Sequence, residues 1–155
     1  QYMEHIRYTE SQIAQLEEKI AELFSHFDTQ LTTIPGIGPT LGATIFSEIG
    51  DISRFPSPAK LAAFAGIDPS VKQSGEFQSS HAHMSKRGSP YLRRAIWQAS
   101  VIAAMHDPAI RAYFEKKRSQ GKSYMVAIGH VTRKMNNIIF AVLRDNKPYY
   151  SSLDS

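Results

Sequence analysis

Two segments of helical periodicity meet at Ile34-Pro35-Gly36-Ile37-Gly38-Pro39. Gly36 and Gly38 permit a sharp turn and a close approach of the backbone to another molecule, because neither residue has a Cβ. Pro39 fits the first position of a following helix, whose free N–H groups form an anion site. The stretch therefore predicts a helix-hairpin-helix in which the backbone amides of Gly36 and Gly38 contact nucleic-acid phosphates. A plain turn between two helices is the alternative.

Upstream of this hairpin, residues 1–30 carry a heptad pattern of the kind found in coiled coils. The a positions are Ile6, Ile13, Ile20 and Phe27, and the d positions are Thr9, Leu16, Leu23 and Gln30. The pattern predicts a helix of roughly 25 residues that pairs with a second helix. We therefore expect residues 1–30 to form a coiled coil that dimerises the protein. A helix packed on its own domain is the alternative, since Thr9 and Gln30 are polar.

Downstream of the hairpin, the periodicity predicts an all-α domain over residues 31–148 and a polar tail over residues 149–155. A short helix from Leu31 to Ile34 leads into the hairpin, and residues 39–49 form its second helix. Later helices begin where Ser or Asp can cap the first turn, in three cases directly before Pro. These starts are Ser57-Pro58, Ser89-Pro90, Asp107-Pro108 and Ser123, and the helices end near Gly66, His106, Gly121 and Asp145.

Helical periodicity disappears between Ile67 and Gly88, where the chain is polar and rich in serine. A loop of this length inside a compact domain is usually functional or disordered. A short β-hairpin around Ser74-Gly75 fits the turn residues. The loop is the one interruption of an otherwise helical pattern, and it is the best candidate for a working segment.

The same loop contains two serines that have cations nearby. A serine that attacks a phosphodiester needs an exposed hydroxyl and positive groups that offset the charge on the phosphate oxygens. Ser74 follows Lys72 and precedes a glycine, whereas Ser85 is followed directly by Lys86-Arg87. Arg93 and Arg94 begin the next helix and suit phosphate oxygens. Chemistry alone leaves Ser74 and Ser85 both open, and a solvated loop hydroxyl is the alternative for each.

The composition permits a nucleic-acid partner and excludes several other classes. The 155 residues include 18 Lys and Arg against 14 Asp and Glu, which gives a net charge of +4 and a pI near 9.4. The chain has no cysteine, which excludes disulfides and thiolate metal sites. No apolar run is long enough for a membrane span, so we expect no membrane partner. Carboxylates are scattered and His81 and His83 form the one histidine cluster, so we predict no metal site in this chain.

Several short motifs follow one another in a fixed order. They are Ile34-Pro35-Gly36-Ile37-Gly38, Ile49-Gly50-Asp51 with Arg54-Phe55, Leu61-Ala62-Ala63-Phe64-Ala65-Gly66-Ile67-Asp68-Pro69, Ser74-Gly75, Met84-Ser85-Lys86-Arg87-Gly88 and Leu92-Arg93-Arg94-Ala95. This ordered set resembles the C-terminal domain of the Piv/MooV-type DNA recombinases, a family that includes the bridge-RNA-guided transposases of insertion sequences. Each motif alone is weak, whereas the ordered set is specific.

The resemblance implies a catalytic role for one serine. In that family a serine of this domain becomes covalently linked to DNA, and its position before Gly corresponds to Ser74 here. Ser85 then becomes part of a phosphate-binding set. We expect that set to comprise Gly36, Gly38, Lys72, Ser85, Lys86, Arg87, Arg93 and Arg94.

The resemblance also implies partners and missing parts. The family carries an N-terminal RuvC-like domain whose four acidic residues bind Mg²⁺, and no segment of this chain resembles it. We therefore expect a fragment of a longer transposase or recombinase that binds DNA and a guide RNA, forms a homodimer or larger assembly, and recombines nothing alone. Its expected location is the bacterial or archaeal cytoplasm, at the nucleoid.

Two other functions remain open from the residues. The first is a non-catalytic helix-hairpin-helix module that binds DNA or RNA and dimerises. The second is an assembly domain whose loop contacts guide RNA. A further set of cations could bind either polymer or form a solvated helix face: Lys116, Lys117, Arg118, Lys122, Arg133 and Lys134.

Overall fold

The computed structural model describes residues 1–69, 73–74, 77–78 and 83–151, with the backbone alone at 73–74 and 77–78. Six α-helices build the described chain, which confirms the predicted all-α class. They are α1 Tyr2–Phe24, α2 Pro39–Ile49, α3 Pro58–Ala65, α4 Pro90–His106, α5 Pro108–Ser119 and α6 Tyr124–Asp145. Two 3₁₀ turns, Leu31–Thr33 and Ile52–Arg54, lie before and after α2. Lys72, Gly75 and His81 lie outside the described residues.

The predicted helix starts are confirmed by their caps. At each of α3, α4, α5 and α6, a Ser or Asp side chain accepts a hydrogen bond from a backbone N–H of the first turn, as an N-cap does. The four capping residues are Ser57, Ser89, Asp107 and Ser123. Ser89 has a second role, because its hydroxyl donates to the Glu48 carboxylate at 2.7 Å. That bond ties the start of α4 to the end of α2.

The core forms around α4, which packs against α2, α5 and α6. Small residues on α4, Ala95, Ala99 and Ala103, are almost fully buried and let the neighbouring helices approach closely. Met135 and Ile139 of α6 fill the space opposite and are fully buried. Burial of this apolar surface is the main stabilising contribution to the fold.

The two ends of the polar loop lie side by side. Pro69 forms an isolated antiparallel bridge with Met84. The backbone N–H of Ser85 donates to the Asp68 carbonyl at 2.9 Å, and that of Lys86 donates to the Gly66 carbonyl at 2.9 Å. Beyond this base, β1 Gln73–Ser74 pairs antiparallel with β2 Phe77–Gln78, at the position where the sequence predicts a short hairpin. The loop therefore starts from a fixed base.

The N-terminal helix ends earlier than the heptad pattern predicts. The predicted helix of roughly 25 residues is confirmed as the 23-residue α1. Residues 25–30 lie beyond its end, so the heptad positions Phe27 and Gln30 are not helical. Phe27 packs instead on Phe46 of α2, with ring centroids 5.1 Å apart, and Phe24 packs on the same ring at 5.9 Å. This aromatic contact between α1 and α2 is tertiary, and the heptad spacing alone does not reveal it.

The C-terminal residues fold back toward the end of α1. Asn146 donates to the Asp28 carboxylate at 3.0 Å, and the Tyr149 N–H donates to the Thr33 hydroxyl at 2.9 Å. Tyr149, the first residue of the predicted tail, is partly buried against the core. The division into residues 1–30, 31–148 and 149–155 remains a prediction.

Candidate nucleic-acid interface

A groove of about 820 Å³ opens between the base of the polar loop, the first half of α4 and the first half of α6. Three segments line it, and the lining residues are Ile67, Pro69, His83, Met84, Lys86, Pro90, Arg93, Arg94, Trp97, Met125, Val126, Gly129, His130 and Arg133. Among these residues there is no Asp or Glu. The groove is therefore cationic along one part of its wall and apolar along the rest.

Four permanent cations line this groove. Lys86, Arg94 and Arg133 are exposed, whereas Arg93 is partly buried and its Nη1 donates to the Ala65 carbonyl at 3.3 Å. Within the described parts of the chain, no carboxylate forms an ion pair with any of the four. Uncompensated charges of one sign in a cleft raise the local concentration of the opposite charge. The groove therefore favours an anionic ligand, and Arg forks fit phosphate oxygens especially well.

Arg93 and Arg94 reach the groove because of their place on α4. They lie in its first turn and a half, directly behind the Ser89 cap. The end of α3 holds Arg93 in place, and a Cβ added to Gly66 would come within 2.8 Å of its Nη1. Gly66 ends α3 in a left-handed conformation, with φ at +69°, which glycine adopts without strain.

Lys86 is held in an uncommon backbone conformation. Its φ is +53°, in the left-handed region that a residue with a long side chain rarely adopts. Its N–H bond to Gly66 fixes one side of the turn, and Gly88 packs so tightly on α3 that a Cβ there would overlap the Phe64 carbonyl. These contacts fix the backbone of Lys86, which lines the groove.

Ser85 and Arg87, the neighbours of Lys86, are not among the groove-lining residues. The Ser85 hydroxyl donates a short hydrogen bond to the Asp68 carboxylate, and Arg87 is exposed to solvent. Of the predicted phosphate-binding residues Ser85, Lys86 and Arg87, Lys86 is the one that lines the groove together with Arg93 and Arg94. The phosphate-binding roles of Ser85 and Arg87 remain predictions.

His130 of α6 lies beside these cations. Burial lowers the pKa of its imidazole, and the positive charges of Lys117, Lys122 and Arg133 lower the pKa further. The ring is therefore neutral at neutral pH. A neutral imidazole can donate and accept a hydrogen bond at the same time, so His130 adds a polar group to the groove without adding charge.

The glycine hairpin lies on a different side of α4. Gly36 has φ at +85°, and a Cβ there would overlap the Ala99 carbonyl oxygen. Trp97 of the groove precedes Ala99 by two residues, which places their side chains about 200° apart around the helix. The structure therefore does not bring Gly36 and Gly38 into the groove. Gly38 faces open space: a Cβ there would meet no atom within 4 Å.

Ser74 lies in β1, where its backbone pairs with Phe77. The structure describes no side chain at this position, and Lys72 lies outside the described residues. The loop that carries both residues starts at Pro69 and returns at His83, and these two residues line the groove. The catalytic role of Ser74 and the phosphate contact of Lys72 stay predictions.

A metal site is not formed by the described residues: residues 1–69 and 83–151 contain no group of three or more His, Asp or Glu side chains placed to hold an ion. No described helix is long and apolar enough to cross a membrane. The Mg²⁺ that the resemblance implies belongs to the family's N-terminal domain, and its presence in the full protein remains a prediction.

Trp97, His130 and Arg133 line the groove but are not among the site residues predicted from the sequence. Trp97 follows Arg93 by four residues and Arg94 by three, so helical spacing alone places it on their face. The sequence places Arg133 among cations that could bind either polymer or form a solvated helix face, and nothing in it singles out His130. Both come from α6, more than thirty residues later, and only the packing of α6 on α4 brings them to the groove.

The fold and the groove define a helical domain with a cationic cleft at the base of a long loop. A family model described as the transposase IS116/IS110/IS902 family matches residues 28–115. The chain belongs to the IS116/IS110/IS902 family of transposases.

Relatives agree with this assignment. The chain is 35% identical over 124 residues to the uncharacterized 43.6 kDa protein of insertion element IS110 from Streptomyces coelicolor. The aligned region covers 79% of this chain and 30% of that relative. It is 31% identical over 153 residues to the pilin gene-inverting protein of Moraxella bovis, and this aligned region covers 94% of this chain and 48% of that relative. The chain thus spans less than half the length of either relative.

Proposed function

We propose that this chain is the C-terminal catalytic domain of a DNA transposase or site-specific recombinase, and that Ser74 is its nucleophile. The observation that carries the proposal is the groove at the base of the Ser74 loop: its described lining residues include four cations and no carboxylate, and no described carboxylate forms an ion pair with these cations. Phosphate oxygens are the ligand that such a groove fits best. Family membership makes DNA the polymer that brings those phosphates.

The proposed reaction is a transesterification. The Ser74 oxygen bonds to the phosphorus of a DNA phosphodiester, the bond from phosphorus to the 3′ oxygen breaks, and a phosphoserine link and a free 3′-OH result. The serine proton passes to a base, and the leaving oxygen takes up a proton. Lys86, Arg93 and Arg94 offset the charge that builds on the non-bridging oxygens, with Lys72 and Arg87 as further phosphate contacts.

The acidic groups for this chemistry come from outside the described residues. These residues form no group of three or more Asp, Glu or His side chains placed to hold a metal ion, and the chain spans less than half of the length of these relatives. We infer that a RuvC-like domain elsewhere in the full protein supplies the carboxylates and Mg²⁺, which help to activate the serine. The chain on its own binds nucleic acid and does not exchange strands.

The hairpin is proposed as a second backbone contact. At the start of α2, Gly38 is exposed and Pro39 leaves no N–H at the first position. The next N–H groups of the first turn point outward, as helix N-termini that bind phosphate do. Because the hairpin and the groove lie on different sides of α4, one duplex contacts both only if it wraps around this helix.

The exposed stripe of α1 is proposed as the dimer contact. Ile6, Ile13, Leu16 and Leu23 are between 49% and 66% exposed, although they occupy a and d positions. A coiled coil with a second copy would bury them. Phe24 anchors the end of this helix on α2, so a partner helix would sit at a defined place on the domain.

The second candidate is a non-catalytic module that binds DNA or guide RNA and dimerises. The open backbone at Gly38 and the exposed apolar residues of α1 favour it, because neither feature takes part in the serine chemistry. In this case the groove and hairpin hold nucleic acid, and the serines have no chemical role. The two proposals differ in what a serine substitution does.

A covalent-adduct assay tests the proposal. The full-length protein is incubated with end-labelled DNA that carries its recombination site, and the mixture is denatured and run on a gel. A labelled protein–DNA band that Ser74→Ala abolishes supports the catalytic domain. Strand exchange and an adduct that survive Ser74→Ala support the binding module or another nucleophile.

A further inference from the structure

We propose that the apolar wall of the groove binds an unpaired nucleobase of DNA, so that the strand in the groove is locally single-stranded. This apolar wall includes Trp97 of α4, Met84 of the loop base and Met125 of α6. This inference rests on the proposed function and deepens it, because it names the form of the DNA that the groove takes.

Trp97 has the surface that a base needs. It projects from α4 one turn after Arg93 and Arg94, and its ring is partly buried and partly open to the groove. Among the described residues, no aromatic ring stacks on it and no cation lies over it. Every base has a flat face that stacks on an open aromatic ring.

Gly129 keeps the opposite wall open. It lies inside α6, where glycine is less favourable than alanine. A Cβ there would meet only the Met84 Cε atom, at 3.7 Å, which is ordinary van der Waals contact. Packing therefore does not require glycine at this position. Its effect is to leave space beside Met84, between α6 and the loop base.

The charges beside this wall fit a strand of nucleic acid. Arg93 and Arg94 lie on the Trp97 face of α4, and Arg133 lies across the groove on α6. A base on the apolar wall would have its own sugar–phosphate backbone within reach of these cations. Aromatic rings interleaved with cations are the pattern of single-strand binding grooves.

A base in a duplex does not fit this wall. Its faces are covered by the neighbouring base pairs, so it reaches a concave pocket only after leaving the stack. The strand is DNA, because the groove is continuous with the base of the loop that carries the proposed nucleophile. An RNA strand is the other outcome that the experiment resolves.

Trp97 is the only tryptophan of the chain, so its fluorescence reports this site alone. The chain is titrated with oligo-dT of roughly ten nucleotides, with the same oligonucleotide lacking its bases, with a blunt DNA duplex and with oligo-U. We expect oligo-dT to quench the fluorescence and to bind about tenfold more tightly than the abasic strand. The duplex binds through its phosphates without comparable quenching.

Substitutions give a second test, in which the fluorescence anisotropy of labelled oligonucleotides measures binding because the Trp97 variants lack the tryptophan. Trp97→Leu weakens binding of oligo-dT about tenfold and leaves binding of the abasic strand unchanged, whereas Trp97→Phe retains most of the affinity. Tyr91→Leu is the matched control, because Tyr91 is an exposed aromatic residue of the same helix outside the groove. Circular dichroism confirms that each variant is folded.

Equal affinity and equal quenching for oligo-dT and the abasic strand would overturn the inference while leaving phosphate binding intact. Quenching by oligo-U alone would overturn it in favour of an RNA strand. Salt-insensitive or absent binding of all four probes would instead contradict the proposed function itself. The two failures are therefore distinguishable.

Discussion

The backbone of Gly36 lies directly against the backbone of Ala99, so closely that a Cβ on Gly36 would overlap the Ala99 carbonyl oxygen. Gly36 also has a positive φ of +85°. The close contact and the positive φ explain why glycine is needed at position 36 without any ligand. Neither applies to Gly38, two residues later, whose φ is −85° and whose Cβ position is open. The two glycines of one turn therefore differ in role.

The first prediction follows from this difference. Gly36→Ala lowers the free energy of unfolding by about 2–4 kcal/mol, because it combines backbone strain with overlap. Gly38→Ala lowers it by less than about 1 kcal/mol. Urea unfolding measures both. Equal losses for the two variants would contradict the assignment of Gly36 to the core contact.

For the affinity for DNA we expect the opposite order, with the larger effect from Gly38→Ala. We expect Gly38→Ala to weaken binding of duplex DNA by roughly tenfold, about 1.4 kcal/mol, because a methyl group at the helix start keeps the phosphate away. Ala59→Ser, at the exposed start of α3, is the matched control. Unchanged affinity in Gly38→Ala would show that the hairpin is a plain turn.

The second prediction concerns the groove cations. Each phosphate contact adds roughly 0.7–0.9 to the slope of log affinity against log salt concentration. Arg94→Gln and Arg133→Gln each reduce this slope by about that amount. Arg111→Gln is the control, since Arg111 is an exposed arginine on α5 outside the groove. If Arg111→Gln reduced the salt slope as much as Arg94→Gln does, the result would show that the DNA does not bind in the groove.

The third prediction concerns pH. Burial and the neighbouring cations hold the pKa of His130 below its ordinary value of about 6.5. As pH falls through that value, the unfolded chain takes up a proton at His130 and the folded chain does not. The unfolded state then binds more protons, so the free energy of unfolding falls with falling pH. This loss begins at the unfolded pKa and is complete below the folded pKa.

Two variants check this assignment. His130→Gln loses less stability than the unsubstituted chain between about pH 7.5 and pH 5.5. Lys117→Gln raises the pKa of His130 toward its ordinary value, which an NMR titration of the imidazole protons follows. Parallel stability curves for the chain and His130→Gln would contradict the depressed pKa.

The fourth prediction concerns α1. If its exposed stripe pairs with a second copy, Leu16→Glu raises the dimer dissociation constant by at least about tenfold, because it places a charge in the coiled-coil seam. Gln15→Glu adds a charge outside the seam and leaves dimerisation unchanged. Sedimentation equilibrium measures both. A chain that stays monomeric at every concentration would show that the stripe has another partner.

Local sequence rules predict much of this fold. The caps Ser57, Ser89, Asp107 and Ser123, and the stop at Gly66, act within one helical turn, so residue order alone reveals them. The end of α1 is different, because the heptad spacing continues to Phe27 while the chain turns to pack that ring on Phe46. A contact between distant segments decides the boundary.

The candidate site divides in the same way. The sequence predicts Lys86, Arg93 and Arg94 because these cations lie close to one another and to the loop along the chain. Arg133 and His130 join them only through the packing of α6 on α4. The hairpin and the groove are separate because they contact different faces of α4. The contact of Gly36 with Ala99 defines the hairpin's face, and it is not predictable from the sequence.

The proposed nucleophile has one internal competitor. Ser85 donates its hydroxyl hydrogen to the Asp68 carboxylate, which is also how a nucleophile meets its base. We assign this contact to fixing the loop base, because Ser85 is tied to Asp68 by its backbone as well. The two assignments therefore predict different covalent intermediates, with DNA linked to Ser74 in one case and to Ser85 in the other.

The most direct measurement is mass-spectrometric mapping of the residue that carries DNA in the trapped adduct of the full-length protein. The account predicts a nucleotide on Ser74, no adduct from Ser74→Ala, and an adduct still present in Ser85→Ala at a reduced rate. A nucleotide on Ser85, or an adduct that survives Ser74→Ala, would contradict it.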